Sequence, residues 1–380
     1  MKYHTETRLR PALVIGDIEL VTSLGKAGIP ILLGSENGKN PVMYSKYGIR
    51  RFTFSSYDSN RFVEELCCVG RDMQKKPVLI SNDHRAIAAI SYHRERLEKY
   101  YSFLLPPEKI VADLIKKQNI EEPVEDDNIL IPLICKTFQG DRAESMKPAL
   151  KPAIDNILFE NLSQGDLNHS VTEVCSGVVT REQVTGNEYD HYVSNLFLDK
   201  EGNIRGYYIA QRQREYPDQD SGGRDTCIIT VENQEVLELS LSVADKLGLK
   251  GLVRIEFKKD RISGNFILAG VYPCSNRSLL GMKSGANLAY LYYMYVQNFE
   301  ANPVISSASP GVKCIDLIRY TRVFTEYYRN GKISFGEWRE SLSGDYILSG
   351  LSAQDLFPCL MKLWADLTKG NKYRVSRKQE

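Results

Sequence analysis

The sequence predicts an α/β protein that opens with a doubly wound parallel sheet and continues into smaller α+β units. Three observations predict this. The first hundred residues alternate short apolar runs with amphipathic stretches, which is the signature of strands and crossover helices. Beyond an acidic, proline-interrupted segment the pattern changes to short strands joined by hairpin turns. The chain of 380 residues is too long for one core and fits two or three compact units.

Taken in order, Pro11-Ala-Leu-Val-Ile15 reads as a buried strand, followed by Gly16-Asp17 and a helix through Leu20, Leu24 and Ala27. Gly28 ends that helix, and Ile29 to Leu33 forms the next strand, closed by Gly34-Ser35. Pro77-Val-Leu-Ile80 is another apolar strand that stops at Ser81-Asn82-Asp83 before a helix from about Arg85 to Tyr92. In such sheets ligands bind beyond the carboxyl ends of the strands. Gly16-Asp17, Gly34-Ser35 and Ser81-Asn82-Asp83 all fall there and are candidate ligand-facing loops.

The acidic run Glu121 to Asp127 reads as a linker. Strands are expected at Asn128–Pro132, Ser170–Val174, Tyr192–Leu198 and Ile204–Ile209, with Asp199 to Gly202 as a hairpin turn. A helix is expected from Glu235 to Leu247, capped by Gly248. Gly251–Phe257 and Asn265–Ala269 flank a second hairpin turn, and the pattern from Ala286 onward is helical and tyrosine-rich. Tyr290, Tyr292, Tyr293 and Tyr295 read as helix packing. No internal repeat stands out.

Composition narrows the function classes. Lys plus Arg total 49 against 48 for Asp plus Glu, so no global field favours nucleic acid or an anionic membrane. The basic tail from Lys369 to Lys378 reads as a solvated end. The eight cysteines show no C-x-x-C pair and no zinc spacing, and they read as reduced thiols of a cytoplasmic protein. The start of the chain lacks an apolar targeting segment, and no run has the length of a membrane span. The five histidines lack metal-ligand spacing. There is no G-x-G-x-x-G after the first strand, no phosphate-binding G-x-x-x-x-G-K-S/T and no G-x-S-x-G.

Several stretches, taken in order, resemble the ATP-grasp carboxylate–amine ligases, particularly the branch containing bacterial D-aspartate ligase. They are Pro11 to Asp17 with Leu24-Gly-Lys-Ala-Gly-Ile-Pro30, Tyr44-Ser-Lys-Tyr47, Pro77 to His84, His93 to Leu97 and Phe103 to Pro106. Further on, Ala149-Leu-Lys-Pro-Ala153, Tyr207 to Pro217, Leu247 to Lys258, Ile315-Asp-Leu317, Gly336-Glu-Trp338 and Asp355 to Pro358 continue the series. The resemblance implies an ATP-grasp-type α/β fold with four parts. An N-terminal α/β domain would span 1–111, a shortened central lobe 112–185, a C-terminal lobe 186–300 and a helical extension 301–380.

The resemblance also implies chemistry. A ligase of this kind phosphorylates a carboxylate with ATP, and an amine or amino acid then displaces phosphate from the acyl phosphate. Such transfer depends on positioning and on neutralising charge with cationic side chains and Mg2+. By resemblance Lys151 would reach the ATP phosphates, with Lys147 as its rival, and Glu173 would accept from adenine or ribose. Arg214, with Lys151, would neutralise phosphate or acyl phosphate, Arg254 would be a further catalytic residue on the strand face of Glu256, Glu256 would bind Mg2+, and Ser81, Asn82 and Asp83 would face the substrate. Arg212, Arg214 and Arg224 flank Ser221-Gly222-Gly223, an anion-receiving loop by composition. A homodimer and a protein partner are further expectations that the resemblance carries.

One strand departs from the pattern. An active relative would resemble Leu-Ile-Glu-Ile-Asn-Pro-Arg where this chain reads Leu268-Ala-Gly-Val-Tyr-Pro-Cys274. Gly270 then replaces a metal-binding glutamate, Tyr272 an asparagine and Cys274 an arginine, and only Pro273 remains. Glycine offers no side-chain oxygen, and a phenol is a poor Mg2+ ligand at neutral pH. Asn276 and Arg277 lie close behind and would substitute only if the loop shifts. Each singled-out residue has a plainer reading. Lys151 suits a strand end, Arg254 with Glu256 an exposed ion pair, and Asp83 an ordinary helix cap. Two functions stay open: an ATP-dependent carboxylate–amine ligase, and a non-catalytic relative that binds nucleotide, anion or a partner subunit.

Overall fold

A computed structural model describes residues 9–116, 189–215, 225–260, 264, 266–297, 305–331, 333–349, 355–358 and 360–361. The N-terminal part holds β1 (Ala12–Ile15), α1 (Ile18–Lys26), β2 (Ile31–Ser35), β3 (Gly48–Thr53), α2 (Asn60–Arg71) and β4 (Val78–Ser81). It continues through α3 (His84–Tyr92), α4 (Arg94–Leu97) and α5 (Glu108–Lys116). Its sheet runs β3-β2-β1-β4, with β1 parallel to both neighbours and β2 parallel to β3. β1, β2 and the first three residues of β4 are buried, as expected for strands covered on both faces. β3 reads Gly-Ile-Arg-Arg-Phe-Thr and is largely exposed, because it is the edge strand.

Short polar side chains start the helices where the sequence places them. Asp17 accepts from the Leu20 N–H at 2.9 Å, and Asp83 accepts from Arg85 and Ala86 N–H at 3.0 and 3.1 Å. Each satisfies a backbone donor that the first helical turn leaves orphaned.

The second sheet contains β5 (Tyr189–Leu198), β6 (Ile204–Glu215), β7 (Asp225–Val231), β8 (Gly251–Asp260) and β9 (Phe266–Tyr272). Between β7 and β8 lies α6 (Gln234–Lys246), capped by Asn233. The strand order is β12 (Tyr346–Leu348), β11 (Lys313–Ile315), β7, β6, β5, β8, β9, with β10 (Ser306–Ser307) also pairing with β6. Both expected hairpins are present as antiparallel pairs, β5 with β6 and β8 with β9. Helices α7 (Ser278–Ser284) and α8 (Leu288–Val296) follow β9. The segment expected as a helical extension carries α9 (Leu317–Arg329) and α10 (Phe335–Ser341), but also β11 (Lys313–Ile315) and β12 (Tyr346–Leu348). Cys314 and Ile315 are buried in β11, which pairs antiparallel with β7, so this part extends the sheet.

One core spans both sheets. Ala12, Val14, Leu24, Leu33 and Ile80 pack in the same cluster as Phe197, Tyr208, Leu280, Tyr292 and Tyr293. The opposite face of the second sheet packs on α6 through Leu196, Ile209, Val253 and Ile255. The tyrosines of α8 fasten the two halves. Tyr292 Oη accepts from the Leu104 N–H at 2.8 Å, and Tyr293 Oη donates to the Arg10 carbonyl.

Candidate functional site at the arginine cluster

The inner face of the second sheet carries the charged residues. In antiparallel pairs, directly opposed residues share a face. One row across the sheet reads Tyr208, Asn195, Arg254, Tyr272, and the next reads Ala210, Val193, Glu256, Gly270. Glu256 lies 3.4 Å from Arg254 and 3.5 Å from Arg212. Side-chain exposure is only 14 to 16% for the three groups, so this is a largely desolvated cluster and not the exposed ion pair of the plainer reading. Arg254 stacks on the Tyr272 ring with its guanidinium carbon 3.8 Å from the centroid. Arg212 Nη1 lies 3.2 Å from His191 Nδ1. A guanidinium can only donate, so Nδ1 accepts and the proton of this imidazole sits on Nε2.

Gly270 and Tyr272 form one package. A Cβ built on Gly270 would lie 2.8 Å from Tyr272 Cε2 and 2.9 Å from its hydroxyl oxygen. The phenol thus fills the space that a longer side chain at 270 would need. Burial and the Glu256 carboxylate push the Tyr272 phenol up, so it remains protonated at neutral pH.

The N-terminal loops meet this face from the other side. The His84 ring lies 5.9 Å from the Tyr272 ring. Burial, with Arg254 adding to it, holds the His84 imidazole below its ordinary 6.5, partly opposed by Asp83. Asn82 Oδ1 accepts from the Asp17 N–H at 3.1 Å, and Ser81 Oγ accepts from the Asp83 N–H at 3.1 Å. Asp17 is exposed, yet desolvation by the surrounding protein and then Glu19 push its carboxyl up. Cys274 is buried, and burial raises its thiol to about 11, so it is no thiolate at neutral pH.

Behind the arginine cluster, Asn195 Oδ1 accepts from Ser275 Oγ at 3.0 Å and from the Asn276 N–H at 3.2 Å. Those donors fix the amide orientation. Asn195 is 1% exposed, and its Nδ2 has no hydrogen-bond partner among the described residues. Arg277 holds the left-handed conformation at φ 53° and lies 3.6 Å from Glu19 Oε1. Its guanidinium also donates to Ser349 Oγ, whose hydroxyl reaches Glu19 at 2.7 Å.

Of the residues expected to act, Ser81, Asn82 and Asp83 thus lie on the side facing Arg254 and Glu256. Arg214 is on β6 opposite Cys227, at an irregularity in the register. Lys151 and Glu173, with Lys147, Arg224 and the 221–223 loop, lie outside the described residues. Arg212 turns toward Glu256. Sequence reading grouped it with that loop, although its two-residue spacing from Ala210 and Tyr208 signals the inner face.

The described residues do not fit Mg2+. Such an ion needs about six oxygens at about 2.0–2.1 Å in near-octahedral geometry. Here Glu256 is flanked by two cations, and the facing strand offers Gly270 and a protonated phenol. Among the described residues no three His, Cys, Asp or Glu side chains are grouped to hold a metal.

Comparison with known proteins bears on the fold alone. No family model matches the sequence, and no curated protein matches it. Among solved structures, N5-carboxyaminoimidazole synthetase from Staphylococcus aureus matches with a TM-score of 0.51 and 11% identity, over 85% of this chain and 87% of that one. An L-amino acid ligase from Bacillus licheniformis matches at 0.48 and 10% identity, over 77% and 75% of the two chains. A complete multifunctional pyruvate carboxylase from Rhizobium etli matches at 0.47 and 11% identity over 76% of this chain, which spans only 24% of that one. The chain has the fold of the ATP-grasp carboxylate–amine ligases. The likeness is one of fold, and it does not single out the D-aspartate ligase branch.

Proposed function

We propose that this chain is an ATP-grasp-fold protein without magnesium-dependent ligation, and that it binds a small anionic molecule in the crevice between its sheets. One observation carries this reading. The carboxylate at the expected metal position, Glu256, is neutralised by Arg212 and Arg254, and its facing partner is Gly270 under the Tyr272 ring. Neutralisation of ligand charge passes from a metal ion to guanidinium groups, which suit oxyanions through planar donor forks. In this reading Arg254 contacts the ligand, Arg214 and Lys151 supply further charge, and the 81–83 loop borders the crevice. A partner subunit, identical or different, would then be where any catalysis resides.

The rival is a ligase that joins a carboxylate to an amine through an acyl phosphate, using ATP and Mg2+. It is favoured by the fold and by Glu256 on its expected strand. Mn2+ substituting for Mg2+ separates the two. Titrating Mn2+ and ATP into the protein, followed by electron paramagnetic resonance, should give the spectrum of free Mn2+ and Mn-ATP alone. A protein-dependent, immobilised Mn2+ signal abolished by Glu256→Gln would restore the ligase reading.

A further inference from the structure

A groove lies at the free edge of the first sheet. β3 is the strand farthest from β4 in the order β3-β2-β1-β4, so this groove opens at the opposite end of the sheet from the Ser81–Asp83 loop. Its volume is about 440 Å3, within the range of about 300–1,000 Å3 usual for small-ligand pockets. Gly38, Met43, Tyr44, Arg51, Thr53 and Phe357 line it. The rings of Tyr44 and Phe357 meet edge to face, with centroids 5.4 Å apart and planes at 61°. These two residues are 42% and 57% exposed, so both rings keep surface for a ligand.

The walls of the groove are fastened. Asp355 is buried, and it accepts from Ser45 Oγ and, at 3.2 Å, from the Lys46 N–H. That carboxylate holds the Phe357 segment against the turn carrying Tyr44. Arg51 Nε donates to the Met43 carbonyl at 2.6 Å, and its Nη2 donates to the Ser45 carbonyl at 3.0 Å. These bonds aim the guanidinium and leave Nη1 uncommitted among the described residues. No carboxylate among the described residues pairs with Arg51. The chain from 37 to 57 carries Lys39, Lys46, Arg50 and Arg51 and no Asp or Glu. Aromatic surface and a positioned cation thus share one groove.

We propose that this groove binds a small planar aromatic anion, with its ring against Tyr44 and Phe357 and its carboxylate or phosphate on Arg51. The inference stands apart from the reading of the Glu256 face. A guanidinium already held by two backbone carbonyls loses little further freedom when it takes an oxyanion. A neutral aromatic molecule gains the ring contacts alone, and an aliphatic anion gains the guanidinium alone. A second copy of the chain suits the groove poorly, because two-fold pairing presses this cationic patch against itself.

The probe is naphthoate, titrated into the full chain and followed by ligand-observed NMR. Wild-type protein should bind naphthoate roughly tenfold more tightly than naphthamide, its neutral isostere, and more tightly than cyclohexanecarboxylate. Naphthyl phosphate in the same titration distinguishes phosphate from carboxylate as the anionic group. Arg51→Gln should abolish the preference for naphthoate over naphthamide. Phe357→Ala should weaken naphthoate binding roughly threefold to tenfold. Arg50→Gln, on the opposite face of β3, should leave it within about twofold.

Arg51→Gln also loses two contacts to backbone carbonyls, so the Tm of each variant is measured. The comparison of naphthoate with naphthamide on wild-type protein needs no variant at all. Equal binding of those two probes, or naphthoate binding that Phe357→Ala leaves unchanged, overturns the inference. Absence of naphthoate binding, with a wild-type dimer in sedimentation that Phe357→Ala disperses, overturns it in favour of a self-interface. An immobilised Mn2+ signal at Glu256 would overturn the preceding reading and leave this one standing, so the two failures are distinct.

Discussion

His84 reports on its burial and on the charge of Arg254 nearby. Burial and Arg254 hold its imidazole below 6.5, so it is neutral in the folded protein at pH 7. The unfolded chain takes up this proton as the pH falls through 6.5, whereas the folded chain resists until lower pH. The group therefore lowers stability progressively as the pH drops below about 6.5. His84→Gln should flatten the fall in Tm between pH 7 and pH 5.5, measured by thermal melts across that range. A variant that loses Tm as steeply as wild type would mean that His84 is not held neutral. Much at this scale was legible in the sequence. Asp83 as a cap, and Glu256 and Arg254 on one strand face, follow from residue type and period-two alternation. The stacking of Arg254 on Tyr272 was not, because it joins two strands through side-chain conformation.

At the scale of elements, β9 makes the sharpest prediction. Tyr272 lies over Gly270, so Gly270→Glu alone should overpack the strand and cost about 1–3 kcal/mol. Adding Tyr272→Asn vacates the space, and the double variant should be more stable than the sum of the single changes predicts. Additive effects in denaturant titrations would contradict the coupling. Helix α8 makes a second prediction. Tyr292→Phe removes the acceptor for the Leu104 N–H and should cost about 1–3 kcal/mol. Equal stability would show that water satisfies this amide. The buried runs of β1, β2 and β4 were legible because they are covered on both faces. The exposed edge strand β3 has no apolar run to read. β11 and β12 hid in a helical context, being three residues each.

For the whole molecule, two sheets share one core, and Asn82 ties its loop to that of Asp17 on the N-terminal side. The order of strands and helices along much of the chain could be read from periodicity and resemblance. The neighbours of Glu256 could be read only in three dimensions. The most direct test is a calorimetric titration of wild-type protein with ATP, once with Mg2+ and once with EDTA, at equal ionic strength. Binding that is as tight or tighter in EDTA is the predicted result, since Mg2+ would compete with the arginines for the phosphates. Binding that appears only with Mg2+ would contradict the account and return the protein to the ligases.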